Sequence, residues 1–199
     1  MGQYYRALVI DKNDYHRMLN PHEFGEGAKL MEHAWIGNIF ASTVYSLIHN
    51  NPCIVSWVGD YSDNPYKSDT DAYAKAMPEA EFLDIFQTVW FRLPSMDLGD
   101  FTREQRLLVN METMGSYLVN HDLKCAIDIE AYIEHAAIGG KWCINPLPLL
   151  TACGNLRGNG DFDGKVGLED VGTWAFHRIE FTDQCPEDYT MKEYRFIEK

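Results

Sequence analysis

With 199 residues, 46% of them hydrophobic and 13% aromatic, the chain can bury roughly 70% of the surface that its unfolded form exposes, which excludes the need for a disulfide or metal staple. Thirty acidic residues against seventeen basic ones give a net charge of −13, which leaves no basic stripe for non-specific nucleic-acid binding. Five cysteines without a C-x-x-C pair point to reduced thiols in a cytoplasmic compartment; the opening MGQYYRALVID lacks a signal-peptide pattern, and no run of about 18 apolar residues indicates a membrane span.

The segment Tyr4 to Asp11, YYRALVID, alternates and is rich in β-formers, which predicts an opening strand. The polar run KNDYHR then leaves the sheet. Asn20-Pro21-His22-Glu23 combines a capping residue, a proline at the first helical position and an acid three residues after the cap, which starts a short helical turn ending near Gly25 and Gly27. A long amphipathic helix is expected over residues 28–50, because Ile36, Phe40, Val44, Leu47 and Ile48 recur at spacings of three and four. Asn50-Asn51-Pro52 stops it, and Cys53 to Tyr61, CIVSWVGDY, reads as a mostly apolar strand.

Two helical pieces divided by Pro78 are expected between Thr70 and Leu93, and a capping box at Thr102 to Gln105 starts another through Val109. SYLVNHDLKCAIDI predicts a β-hairpin turning at Asn120-His121-Asp122. KWCINPLPLLTA, with two prolines, reads as extended, and Val171 to Phe181 as the last well-alternating strand, with a short strand possible in the tail at Tyr194 to Ile197. No repeat or linker divides the chain. Residues 1–199 are therefore expected to form a single α+β domain, with a mostly antiparallel sheet of five to six strands and helices gathered in the first half.

Gly154 to Asp170, GNLRGNGDFDGKVGLED, carries the most motif-like spacing. With Asn159 at position one of a calcium loop, Asp161, Asp163 and Asp170 fall at positions three, five and twelve. Asn159 replaces the usual first acid, Asp170 has less reach than Glu, and no helix-forming stretch enters the loop, so a surface hairpin loop is the competing reading. A Walker loop does not match, because only three residues separate Gly160 from Gly164 and Val166 stands where a hydroxyl should follow the lysine. Gly154, Gly158 and Gly160 around Arg157 could still turn backbone N–H groups and a guanidinium toward an anion.

Catalytic patterns are sparse. No H-E-x-x-H, no G-x-S-x-G and no zinc spacing occurs, and no cofactor is indicated. His121 and Cys125, four apart in the hairpin, read as a turn histidine and a free thiol. Glu32 and His33 lie in the first half of the long helix, and Asp60 and Asp63 end the strand after it. If the fold converges them, His33 with Asp60 or Glu32 forms an acid/base or metal-assisted centre; otherwise they are surface charge, a satisfied core imidazole and turn-making acids. Trp35, Trp57 and Trp174 could line an aromatic pocket or simply fill the core.

With MGQYY, LMEHAWIGN, WVGDYSD, YLVNHD, NPLPLLTACGNLRGNGDF and VGTWAFHRI in place, the chain resembles an uncharacterised family of small bacterial and phage proteins. That family opens MGQYY and carries the pattern HPLPLLTAEGNGRGGGD, from which this chain departs at Asn145, Cys153, Leu156 and Asn159. The resemblance transfers no catalytic role. It implies that the Gly-rich segment is a family feature and that FDGKVGLED is a variable insertion.

Three functions follow as expectations. The first is a domain binding a small molecule or a protein partner near the Gly-rich loop, with Asp63, Trp57, Asn155, Arg157, Asp161 and Trp174 as contact residues. The second is a hydrolase or transferase using His33 with Asp60 or Glu32. The third is an acidic phage-type interaction protein with its negative charge on one face.

Overall fold

The structure is a computed structural model and describes residues 3–62, 87–92, 95–96, 116–136, 143–154 and 162–198. Most of the two helical pieces expected between Thr70 and Leu93, and the helix starting at Thr102, lie outside the described residues.

The fold is α+β around a mixed sheet. Strand β1 (Tyr5–Ile10) turns through Asp14, at φ 60°, into β2 (His16–Leu19). The run KNDYHR thus turns back into the sheet, because the Asp11 carboxylate accepts the Asn13 and Tyr15 N–H groups and closes a hairpin. Strand β3 (Cys53–Gly59) pairs antiparallel with β1 on its other side. Further along come β4 (Ser95–Met96), β5 (Tyr117–Asn120), β6 (Cys125–Asp128), β7 (Ala152–Cys153), β8 (Gly164–Val166), β9 (His177–Thr182), β10 (Thr190–Met191) and β11 (Ile197–Glu198). The main path runs β10-β6-β5-β9-β3-β1-β2-β4, with β7 added beside β3, while β8 and β11 form a separate ribbon. The central pairings are antiparallel as expected. The strands number more than five to six because the two-residue strands β4, β7 and β10 join in parallel, too short for a periodic signal.

The long helix of the sequence reading is two helices, α1 (Leu30–His33) and α2 (Ile39–Ile48). Gly37 adopts φ 84°, outside helical space, and the Asn38 side chain accepts from the N–H groups of Phe40 and Ala41, so the chain stops and restarts with a fresh cap. Between them Trp35 bridges to Ile144. Helix α3 (Ile129–Ala136) follows the β5–β6 hairpin, and α4 is Pro146–Leu150.

Helix α4 corrects the extended reading of NPLPLL. The first N–H groups of a helix have no internal acceptor, so prolines at its first and third positions forfeit no hydrogen bond. Asn145 caps it, its Oδ1 accepting from Leu147 N at 3.1 Å and from the Tyr45 hydroxyl at 2.9 Å. Asn145→Ala removes the cap and takes away the acceptor of the buried Tyr45 hydroxyl, and is expected to cost about 2–3 kcal/mol in chemical denaturation.

The strand expected from Val171 to Phe181 is β9 in its second half only. Gly172 at φ 83° and Phe176 at φ 61° turn residues 171–176 beneath α4, where Gly172 N and Trp174 N donate to the carbonyls of Leu149 and Leu150.

Each face of the sheet supports a core. Tyr5, Ala7, Val9, Cys53, Val55 and Trp57 face α2, where Phe40, Val44, Tyr45 and Ile48 are buried against them. On the opposite face Leu8, Ile10, Met18 and Val58 meet Val89 and Trp90 of a π-helical turn, Thr88–Arg92. Alternation along β1 and β3 sorts the two sets.

Candidate functional site

The segments Gln3–Tyr5, LMEHAW, WVGDYS and LLTACG converge at the carboxyl end of β3. The centre is the buried amide of Gln3, which faces the backbone N–H groups of Tyr61 and Ser62 at 3.1 and 3.2 Å. Its oxygen therefore accepts both, and its NH2 donates to the Tyr5 hydroxyl at 3.0 Å. A Cβ at Gly59 or Gly154 would lie 2.6 or 2.5 Å from this amide, so both positions need glycine for close approach rather than for φ. Ser62 Oγ reaches the carbonyls of Gly59, at 2.7 Å, and of Cys153. Tyr4 and Asp60 continue the β1–β3 ladder: Asp60 N donates to Tyr4 O at 2.9 Å, and Asp60 Oδ1 accepts from Tyr4 N at 3.0 Å.

His33 belongs to the helix-side core. Its imidazole is fully buried, edge-on to Phe40 at 4.8 Å, with Nε2 3.1 Å from Trp57 Nε1 and Nδ1 2.9 Å from Gly27 O. An indole nitrogen can only donate, so Nε2 accepts and the proton sits on Nδ1, donated to Gly27. Both ring nitrogens are committed. Burial pushes the imidazole pKa down to about 4, against a smaller upward effect of the Gly27 bond.

Glu32 points outward and accepts from Lys29 N at 3.0 Å at the start of α1. Asp60 is three residues after Trp57, so strand alternation places it toward the opposite face from His33. No hydrogen bond or ion pair links His33, Glu32 and Asp60 to one another, and the acid/base centre pictured for them is not assembled. Trp57 and Trp174 are both fully buried; Trp174 Nε1 donates to Tyr194 Oη at 3.0 Å. Both are core residues rather than pocket walls.

Asp63, Asn155, Arg157, Asn159 and Asp161 lie outside the described residues. Of the calcium-like set, Asp163 is exposed, and Asp170 sits in a short 3-10 turn, Leu168–Asp170, where burial and then Glu169 raise its pKa. That turn replaces the exiting helix of a helix-loop-helix site, and Gly164–Val166 pairs with β11 instead. Among the described residues no group of three or more His, Cys, Asp or Glu side chains could hold a metal ion. None of the five cysteines forms a disulfide; burial pushes the thiols of Cys53 and Cys125 up to about 11, the reverse of nucleophile activation.

A second polar cluster forms where YLVNHD meets VGTWAFHRI. His121 places Nε2 2.9 Å from Glu180 Oε2 and Nδ1 3.0 Å from the Tyr189 hydroxyl. Asn120 Oδ1 accepts from Asp122 N and Leu123 N, which closes the hairpin turn, and Asp122 Oδ2 accepts from Arg178 N at 2.7 Å. In the sequence His121 reads as a turn residue, with no connection to Glu180. The available signal was an acid inside the otherwise strand-like run HRIEFT, whose side chain is only 17% exposed.

Compared with known protein families, curated proteins and solved structures, the chain matches none. Among the described residues no helix is long and apolar enough to cross a membrane.

Proposed function

We propose that the chain is a binding domain, and that its contact surface is the Tyr4–Asp60–Tyr61 face at the carboxyl end of β3. The observation that carries this reading is the contrast between neighbours there. Tyr4 and Tyr61 are 50% and 58% exposed, while the backbone beneath them is held by the buried Gln3 amide and by the two Tyr4–Asp60 hydrogen bonds. Tyrosines supply large amphipathic contact area at low entropy cost, and a fixed backbone lowers that cost further. A protein partner fits this exposed pair better than a small molecule, which needs a concave site. Cysteines without disulfides support work in a reducing compartment, the cytoplasm. A hydrolase built on His33 is the weaker reading, because that imidazole has no free nitrogen and no access to solvent.

The test is affinity capture from lysate of the native host with the wild-type chain and with a Tyr4→Ala/Tyr61→Ala chain of unchanged circular dichroism. The proposal expects at least one protein held by the wild type and lost from the variant; an identical set of captured proteins on both would contradict it.

A further inference from the structure

A separate cleft of about 180 Å3 lies at the other end of the sheet, between α3 and the C-terminal segment Met191–Arg195. Strands β9 and β5 separate its strand, β6, from β3, so it is independent of the Tyr4–Asp60 face. Both walls are anchored. Tyr132 Oη donates to Ile144 O at 2.8 Å, Asp128 Oδ1 accepts from Ala131 N at 2.9 Å, and Lys192 N donates to Ala126 O at 2.8 Å. Tyr194 is fixed against Trp174, edge-on at 5.7 Å and hydrogen bonded.

The floor is apolar, made by Ile127, Ala131, Tyr132 and Met191, and Met191 is 48% exposed. The rim carries charge of both signs: Lys192 and Arg195 against Asp128 and Glu193. None of these four forms an ion pair within the described residues, although Lys192 and Glu193 are adjacent in sequence. His135 adds a polar atom, since its Nδ1 donates to Ala131 O at 2.6 Å and leaves Nε2 available. Charges of both signs beside an apolar lining complement a molecule that itself carries both charges and an apolar body.

We infer that this cleft binds a small amphipathic zwitterion, a free α-amino acid with an apolar side chain. Its carboxylate meets the Arg195 guanidinium and the Lys192 ammonium, its ammonium meets Asp128 and Glu193, and its side chain covers Ile127, Tyr132 and Met191. A volume of about 180 Å3 admits one such molecule and little more.

L-Leucine is the probe, titrated into the 15N-labelled full chain and followed by amide shifts. The expected result is saturable shifts at Ala131, Tyr132 and Tyr194 with a Kd of about 1 mM or below. 4-Methylpentanoate lacks the ammonium and 3-methylbutylamine lacks the carboxylate; each is expected to bind at least about tenfold more weakly, one lost charge contact being worth roughly that factor. Arg195→Gln, an exposed position, is expected to weaken leucine about tenfold while leaving 3-methylbutylamine unchanged. Absence of leucine shifts, equal binding of the three compounds, or full leucine binding by the variant would each overturn the inference.

Discussion

A Trp57→Ala chain is expected to lose about 3–5 kcal/mol of stability, the usual result of truncating a fully buried large aromatic side chain. For a chain of this size that lowers the melting temperature by about 6–20 °C. Two effects add. The indole leaves a cavity where it met Phe40 edge-on at 5.9 Å, and His33 Nε2 loses its only donor. Trp57→Phe separates them: it keeps a ring in the core but removes the N–H, and the unsatisfied imidazole nitrogen alone is worth about 1–3 kcal/mol. A contact residue at a ligand site would behave otherwise, with stability little changed in the phenylalanine variant. Equilibrium urea unfolding of both variants makes the comparison.

The second large effect is acid lability. An unfolded His33 titrates near the ordinary value of 6.5, whereas burial lowers the folded value to about 4. Between those values the unfolded chain binds the extra proton, so stability rises with pH in this window. The contribution is complete above pH 6.5 and is lost as pH falls toward 4, amounting to about 3 kcal/mol at most by linkage. Protonation also sets an Nε2–H against the Trp57 N–H, two donors facing each other. Denaturant midpoints measured from pH 7 down to pH 4 should fall steadily in the wild type and more shallowly in His33→Gln; parallel curves would refute the assignment of the slope to His33.

Much of the fold was legible where local pattern and long-range packing agree. Tyr5–Ile10 and Cys53–Gly59 alternate or run apolar because both faces of the sheet are covered near them, and Asn20-Pro21 with Gly25 marks a helical turn by its own capping chemistry. The misreadings fall where one residue overrides periodicity. Gly37 and Asn38 break a helix whose apolar spacing continues unbroken from Ile36 to Ile48. Pro146 and Pro148 suggest extended chain until the free N–H positions of a first turn are counted. Gly172 and Phe176 adopt positive φ because residues 171–176 bond to α4 and β3 rather than to a neighbouring strand in register.

The candidate site was legible as a set of segments and not as chemistry. LMEHAW and WVGDYS meet through His33–Trp57 in the core, while Asp60 follows the strand alternation away from them. A sequence shows that Glu32, His33 and Asp60 are chemically capable; it does not show that Gly27 and Trp57 already occupy both imidazole nitrogens. Gln3, with no motif around it beyond MGQYY, organises the junction because a buried amide must satisfy its oxygen and nitrogen together. The clustering of His121, Glu180 and Tyr189 depends on the β5–β9 pairing, which joins residues 59 positions apart.

With both ring nitrogens committed to Gly27 and Trp57, His33 has a structural role in the core. The direct test of that role is an NMR titration of the imidazole nitrogens. A neutral Nδ1–H tautomer at neutral pH, an Nδ1 proton slow to exchange, and no protonation until pH approaches about 4 are expected. An imidazole that titrates near 6.5 and exchanges its ring proton freely with solvent would contradict it.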